Sequence, residues 1–241
     1  MFRNSPRISR RDVSSPPNRR SKLSLEALER RDVLTPTSAL VANLIVNSLE
    51  DQVNLISSFY ERFLQRPPDA TGIDAWVRQL QAGVSPEAIE ASFAGSSEYV
   101  LNHGNTAGGF LLGLYADVLG RLPDNGGFSA WLSALQHGMA PVQVALAFTT
   151  SVERRTKAIS NEYRLFLGRE PEAGAVLAWL GQYSRGLTDL GLASLIVGSD
   201  EFYSDCNRNN SSFIIRAYED VLFRSPGSDE LGAWLAFMAT H

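Results

Sequence analysis

Between residues 56 and 64 the apolar side chains fall at Ile56, Phe59, Tyr60, Phe63 and Leu64. This i, i+3, i+4, i+7, i+8 spacing lays one stripe along an α-helix. Arg66 suits the negative end of that helix, and Pro67 and Pro68 forbid its continuation, so a first helix is predicted to stop near Arg66. A second stripe, Ile73, Trp76, Val77 and Leu80, predicts a second helix closed by Gly83, the residue type that most readily turns left-handed past a helix end. "SPEAIEASF" (85–93) opens a third helix, with Ser85 placed to cap it and Pro86 in its first turn, where a missing N–H costs nothing. "GSSEYV" (95–100) predicts a short fourth helix, capped by Ser96 and carrying Glu98 in its first turn.

The same pattern returns along the chain. Tyr60, Tyr115, Tyr163 and Tyr218 are each followed sixteen residues later by Trp76, Trp131, Trp179 and Trp234, which are all the tryptophans present. Leu64, Leu119, Leu167 and Leu222 stand four after the tyrosine, Arg66, Arg121, Arg169 and Arg224 six after, and Pro68, Pro123, Pro171 and Pro226 eight after. Past the tryptophan three copies keep register, through Gly83, Gly138 and Gly186, then Phe93, Phe148 and Ile196, then Ser96, Ser151 and Ser199, then Glu98, Glu153 and Glu201. The fourth copy runs out at His241, before a third helix. Self-similarity of this kind predicts an all-α chain of tandem multi-helix repeats. Its divisions are 37–104, 105–158, 159–210 and a truncated 211–241, behind a disordered basic segment 1–36. Apolar residues of the last copy, such as Trp234, Leu235 and Met238, are left needing cover from a partner or from the preceding copy.

Repetition decides how the polar residues read. "LQRPPDATGIDAW" (64–76) has the look of a catalytic or metal loop, but it recurs as "LGRLPDNGGFSAW" and "LGREPEAGAVLAW", as a helix corner would. Calcium bound by Asp69 and Asp124 is the alternative; one acid per loop falls far short of the six to eight oxygens required, and the third and fourth copies carry Glu172 and Gly227 instead. The Tyr and Trp stripe is expected to be core rather than a stacking platform, since each ring sits among aliphatic residues at helical spacing. The recurrent arginine is a candidate partner for Glu98, Glu153 or Glu201.

Composition narrows the function classes. With 44% hydrophobic residues the 241-residue chain can form a real core, and no run approaches the roughly 18–20 apolar residues that span a bilayer. The net charge of −4 divides unevenly, because residues 1–35 hold nine Lys or Arg against four acids and the remainder is acidic. An acidic body argues against nucleic acid as a partner. The single Cys206 permits no internal disulfide, and His103, His137 and His241 share no ligand spacing and are expected at the surface. No metal, cofactor or catalytic residue is assigned. No nucleophile motif, zinc motif or phosphate loop appears, so an enzyme is not expected.

Two resemblances extend this reading. "LSLEALERRDVLTP" (23–36), through Leu25, Glu26, Leu28, Glu29, Arg31 and Leu34, resembles a motif near the start of many exported planctomycete proteins, which implies an extracellular or cell-surface location. The pattern Y-x3-L-x-R-x-P-x7-W, followed by a glycine and F-x2-S-x-E, resembles the bacterial family catalogued as domain of unknown function 4214, over about residues 51–241. Members of that family are similar in fold to phycobilisome linker domains, and the resemblance implies an all-helical module without catalysis of its own. The chain departs from its own pattern at Ala175, where copies one and two have glycine. The expected function is a non-catalytic scaffold or interaction protein whose partner is a cell-surface protein or polysaccharide. The rivals are a secreted enzyme acting on envelope polymers and a calcium-dependent surface-binding module.

Overall fold

The computed structural model describes residues 36–240, without the side chains of Pro36 and Ala70. The export-type motif at Leu25–Leu34, the basic segment before Pro36 and His241 lie outside the described residues. The described residues are helical, with no strand among them.

The first seven helices are α1 (Pro36–Val46), α2 (Leu49–Phe59), α3 (Ala70–Gln81), α4 (Pro86–Ala94), α5 (Ser97–Asn102), α6 (Ala107–Asp117) and α7 (Asn125–Gln136). The last seven are α8 (Pro141–Thr149), α9 (Val152–Glu162), α10 (Ala173–Tyr183), α11 (Asp189–Val197), α12 (Asp200–Asp205), α13 (Asn210–Ala217) and α14 (Ser228–Thr240). Helices α2, α9 and α13 each run on into a wider π turn, at Tyr60–Leu64, Tyr163–Leu167 and Tyr218–Leu222.

Local chemistry sets these boundaries. Ser48, Asp69, Ser85, Ser96, Thr106, Asp124, Ser151, Thr188, Ser199 and Asn209 each accept a hydrogen bond from a free backbone N–H of the helix that follows. Asp69 and Asp124 are thus helix caps, with Oδ1 accepting from Gly72 N at 2.8 Å and Gly127 N at 2.7 Å. Gly83, Gly138 and Gly186 have φ of +90°, +93° and +101°, the left-handed ends expected of them. The fourth helix differs from expectation. It is separate only in α5 and α12, where left-handed residues at Gly104 and Asn105, and at Asn207 and Arg208, break the chain. From Ser151 the same start runs unbroken through α9 to Tyr163.

The two series of seven are counterparts, residue for residue. Ser48 and Ser151, Tyr60 and Tyr163, Gly95 and Gly198, Tyr115 and Tyr218, and Trp131 and Trp234 are pairs at one constant offset, without a gap. The structural unit is therefore a pair of repeats, used twice. Ser96 and Ser199 precede Tyr115 and Tyr218 by nineteen residues, whereas Ser48 and Ser151 precede Tyr60 and Tyr163 by twelve.

This duplication shows how the copies pack. A linear array would stack copy on copy along an extended surface. Instead there are two cores, one gathering residues from Ile56 to Phe148 and the other joining Val41–Val46 to residues 159–222. Each half gives its first helix to the other: α8 lies along α4 in the first core, and α1 lies along α11 and against α14 in the second. The fourth copy is consequently not left open to a partner. Its third helix is α1, which a linear division would assign to copy one. Copy one already has α4 in that place, packed along α8, and α1 packs against α14 of copy four instead. Val41, Ile45 and Val46 of α1 are fully buried, a contribution of roughly 1.5–3 kcal/mol each before entropy costs.

The third helices cross at glycines. A Cβ on Gly95 would overlap the backbone of Val142 in α8, and one on Gly198 would stand 3.0 Å from the Cα of Ala39 in α1. Of the tryptophans, Trp179 is fully buried, whereas Trp76, Trp131 and Trp234 are half-buried and packed against the two cores.

Candidate functional site

Two polar constellations stand out, the four corners between first and second helices and the junction between the halves. At each corner the residue five after the tyrosine is left-handed: Gln65 (φ +55°), Gly120 (+62°), Gly168 (+65°) and Phe223 (+58°). This turn throws the next residue, the recurrent arginine, back over the tyrosine ring, with the guanidinium carbon 5.0–5.1 Å from the ring centre in all four copies. Each guanidinium then meets a glutamate with two parallel hydrogen bonds. Arg66 Nε lies 2.6 Å from Glu98 Oε1, Arg121 Nε 2.6 Å from Glu153 Oε1, and Arg169 Nε 2.6 Å from Glu201 Oε1. These are the pairs the sequence suggested.

The fourth pair was not anticipated. Arg224 Nε lies 2.6 Å from Glu50 Oε1 and Nη2 2.7 Å from Oε2, closing the last corner with a residue from the start of α2. The signal was in the sequence: Ile45, Ser48 and Glu50 reproduce the spacing of Phe93, Ser96 and Glu98, ahead of the first tyrosine. The arginines hold Glu50, Glu98 and Glu153 below the usual carboxylate range. Glu230, held by Arg224 and by the N–H of Gly227, is lowered to about 2.

The tyrosine hydroxyls explain Ala175. In copies one and two, Tyr60 Oη and Tyr115 Oη occupy the space where a side chain at Gly72 or Gly127 would go. In copy three, Tyr163 Oη instead accepts from Trp179 Nε1 at 3.0 Å, leaving room for the methyl of Ala175. Copy four repeats this with Trp234 Nε1 and Tyr218 Oη at 2.7 Å and has Glu230 at the same position.

At the junction the charges are unevenly matched. Arg154 on α9 donates from Nη2 to Glu90 Oε2 on α4 at 3.0 Å and to Asp189 Oδ2 at the start of α11 at 2.8 Å. Asp189 N donates to Glu87 Oε1 at 2.6 Å, Tyr183 Oη donates to Asp189 Oδ1 at 2.5 Å, and Thr149 Oγ1 donates to the Glu87 carbonyl at 3.0 Å. Arg62 Nη1 stands 3.1 Å from Glu90 Oε1. Glu162 and Asp51 add two more acids. Burial, reinforced by Asp189, raises Glu162 to about 8, and burial, reinforced by Glu50, raises Asp51 to about 7. Glu87 is raised for the same reason, burial first and then Asp189. None of these was singled out from sequence, although Glu90 falls where the other third helices have Ala42, Ala145 and Ala193, and a charge at an alanine position on a buried face is itself a signal.

The remaining candidates resolve individually. His137 is exposed, with Nδ1 2.7 Å from the Ser133 carbonyl. His103 is not a free surface residue: it is half-buried, stacked on Tyr99 with centroids 4.1 Å apart, 2.8 Å through Nδ1 from the Tyr99 carbonyl and 3.5 Å from Asp117. Cys206 is buried, and burial pushes its thiol up, away from thiolate chemistry. Glu61, Gln65, Arg66 and Pro67 line an open, shallow depression whose arginine is already engaged by Glu98. Among the described residues, no three His, Cys, Asp or Glu side chains converge as a metal site would require.

No helix among the described residues is long and apolar enough to cross a membrane. No curated protein and no solved structure matches the chain. One family does: residues 46–103 and, overlapping them, 90–158 each match the model described as Domain of unknown function (DUF4214), so the first two copies carry that domain in tandem.

Proposed function

We propose that the protein is a non-catalytic helical interaction module, exported to the cell surface or beyond, whose partner is a surface protein or polysaccharide. The observation that carries this reading is the fate of the recurring polar residues. At all four corners arginine is committed to glutamate and tyrosine, which leaves side chains such as Leu122, Leu177 and Phe223, 82%, 71% and 74% exposed, to meet other molecules. The export-type motif at Leu25–Leu34 supports the location. The test is sedimentation of the purified full chain with isolated cell envelopes, beside fractionation of cells and mapping of the chain's N-terminus. Saturable co-sedimentation, weakened by Leu122→Ser and Phe223→Ser at unchanged unfolding midpoint, is expected. Cytoplasmic protein with Met1 intact and no envelope binding would defeat the proposal.

A further inference from the structure

The two cores meet across a charged surface. We propose that this junction is a pH-dependent coupler, which joins the cores into one cooperative unit at mildly acidic and neutral pH and lets them act separately in alkali. This does not rest on the reading above, and neither outcome below bears on envelope binding.

Among the described residues the chain passes between the cores twice, at the counterpart links Asn47–Ser48 and Thr150–Ser151. Residues 48–150 are thus a body set into the other core, coupled to it where α4 meets α9 and α11. Here the first core presents Asp51, Glu87, Glu90 and Arg62, and the second presents Arg154, Glu162 and Asp189. A third guanidinium, that of Arg155, lies over the Tyr183 ring, 4.9 Å from its centre, with Nε buried and unpartnered. Arg62 and Arg154 are taken by Glu90 and Asp189, which leaves Glu162 and Asp51 with no ion pair among the described residues.

The groups around these two acids are mostly of like charge. Glu162 faces Asp189 of α11, Asp51 of α2 and Arg154 of its own helix; Asp51 faces Glu50 of its own helix. Of the neighbouring elements, α8 has no titratable side chain and α10 brings Tyr183, whose hydroxyl is bonded to Asp189. Asp74 and Arg78 of α3 are exposed, Arg164 is engaged by Glu170, Asp220 by Arg216 and Glu219 by Ser225. Protons on Glu162 and Asp51 therefore stand in for the missing cations, in keeping with the upward shift of both carboxyls. Their loss on raising the pH puts like charges on opposed faces and favours separation. The outer ties between the cores, Glu50 with Arg224 and Glu153 with Arg121, are ionised throughout that range, so the cores remain tethered while the centre lets go.

The test is urea unfolding of the full chain carrying Trp76→Phe and Trp131→Phe, so that fluorescence reports the second core, through Trp179 and Trp234, and circular dichroism reports both. At about pH 6 the two signals are expected to share one midpoint. At about pH 9 they are expected to part, or, where the cores are equally stable, to share a midpoint with the urea slope reduced to about half. Coincident signals with an undiminished slope at the higher pH would overturn the proposal, as would signals already parted at the lower. Adding Asp51→Asn and Glu162→Gln, which mimic the protonated acids, is expected to restore one full-slope transition in alkali. If the signals part as before, the junction is not the coupler and the proposal fails; should that variant not fold, Glu162→Gln alone takes its place.

Discussion

Phe223 is a large aromatic held at φ +58° on the surface, 74% exposed, where the equivalent residues in copies two and three are glycine. A left-handed conformation costs a side-chain-bearing residue about 1 kcal/mol, so Phe223→Gly is expected to raise stability by about that amount and the reverse change, Gly168→Ala, to lower it similarly. Thermal unfolding of the two variants checks this. The charged residues predict a pH profile. Asp51 and Glu162 bind protons more tightly folded than unfolded, so what they contribute is present at low pH and lost as pH rises through about 7 and about 8, and Glu87 is shifted in the same direction. Glu50, Glu98, Glu153 and Glu230 are shifted the other way and cost stability as pH falls below about 4.5. Stability is expected to peak in the mildly acidic range and to fall as pH rises toward 8. Asp51→Asn with Glu162→Gln should flatten that alkaline limb; denaturant melts that keep the same slope would sink the assignment.

Among the elements, the second helices are unequal. Trp179 is enclosed and bonded to Tyr163, so Trp179→Ala is expected to cost about 3–5 kcal/mol, whereas Trp131→Ala, on a helix with no fully buried residue, should cost about half as much. The third-helix crossings offer a sharper comparison. Gly95→Ala pushes a methyl into the backbone of Val142 and should cost about 1–3 kcal/mol, with Gly198→Ala at the lower end because its neighbour is 3.0 Å away. Equal unfolding midpoints for these two variants would contradict the packing described.

The helices, their caps, the corner and three of the four Arg–Glu pairs were legible in the sequence, because each depends on residues close in the chain or fixed in register with it. The burial of Trp76, Trp131 and Trp234 was over-read, since helical spacing shows which face a ring shares but not whether a neighbour covers its outer edge. The role of α1 is hidden in the sequence because the matching Ile45, Ser48 and Glu50 precede the first of the recurring tyrosines. The junction charges escaped for a related reason: Glu87, Glu90, Arg154 and Asp189 gain meaning only when distant helices meet.

For the molecule at large the governing fact is that the fourteen helices of the described residues form two interlocked sets, with α14 and α1 related as α7 and α8 are. The latter are joined by four residues, His137–Ala140. A permuted chain that begins at Ser48 and carries Ser38–Asn47 after Thr240, through a link of about that length, is therefore expected to fold with the same helical content. Near-native far-ultraviolet circular dichroism and a single cooperative transition would show it; a molten chain would argue that α1 depends on its link to α2.

The contact of α14 with α1 also has a mechanical side. Tension applied to whatever flanks these two helices would reach them at their common end and peel them apart turn by turn, the geometry that resists force least. The fourth repeat would open first under load, at a pull that leaves the other three intact.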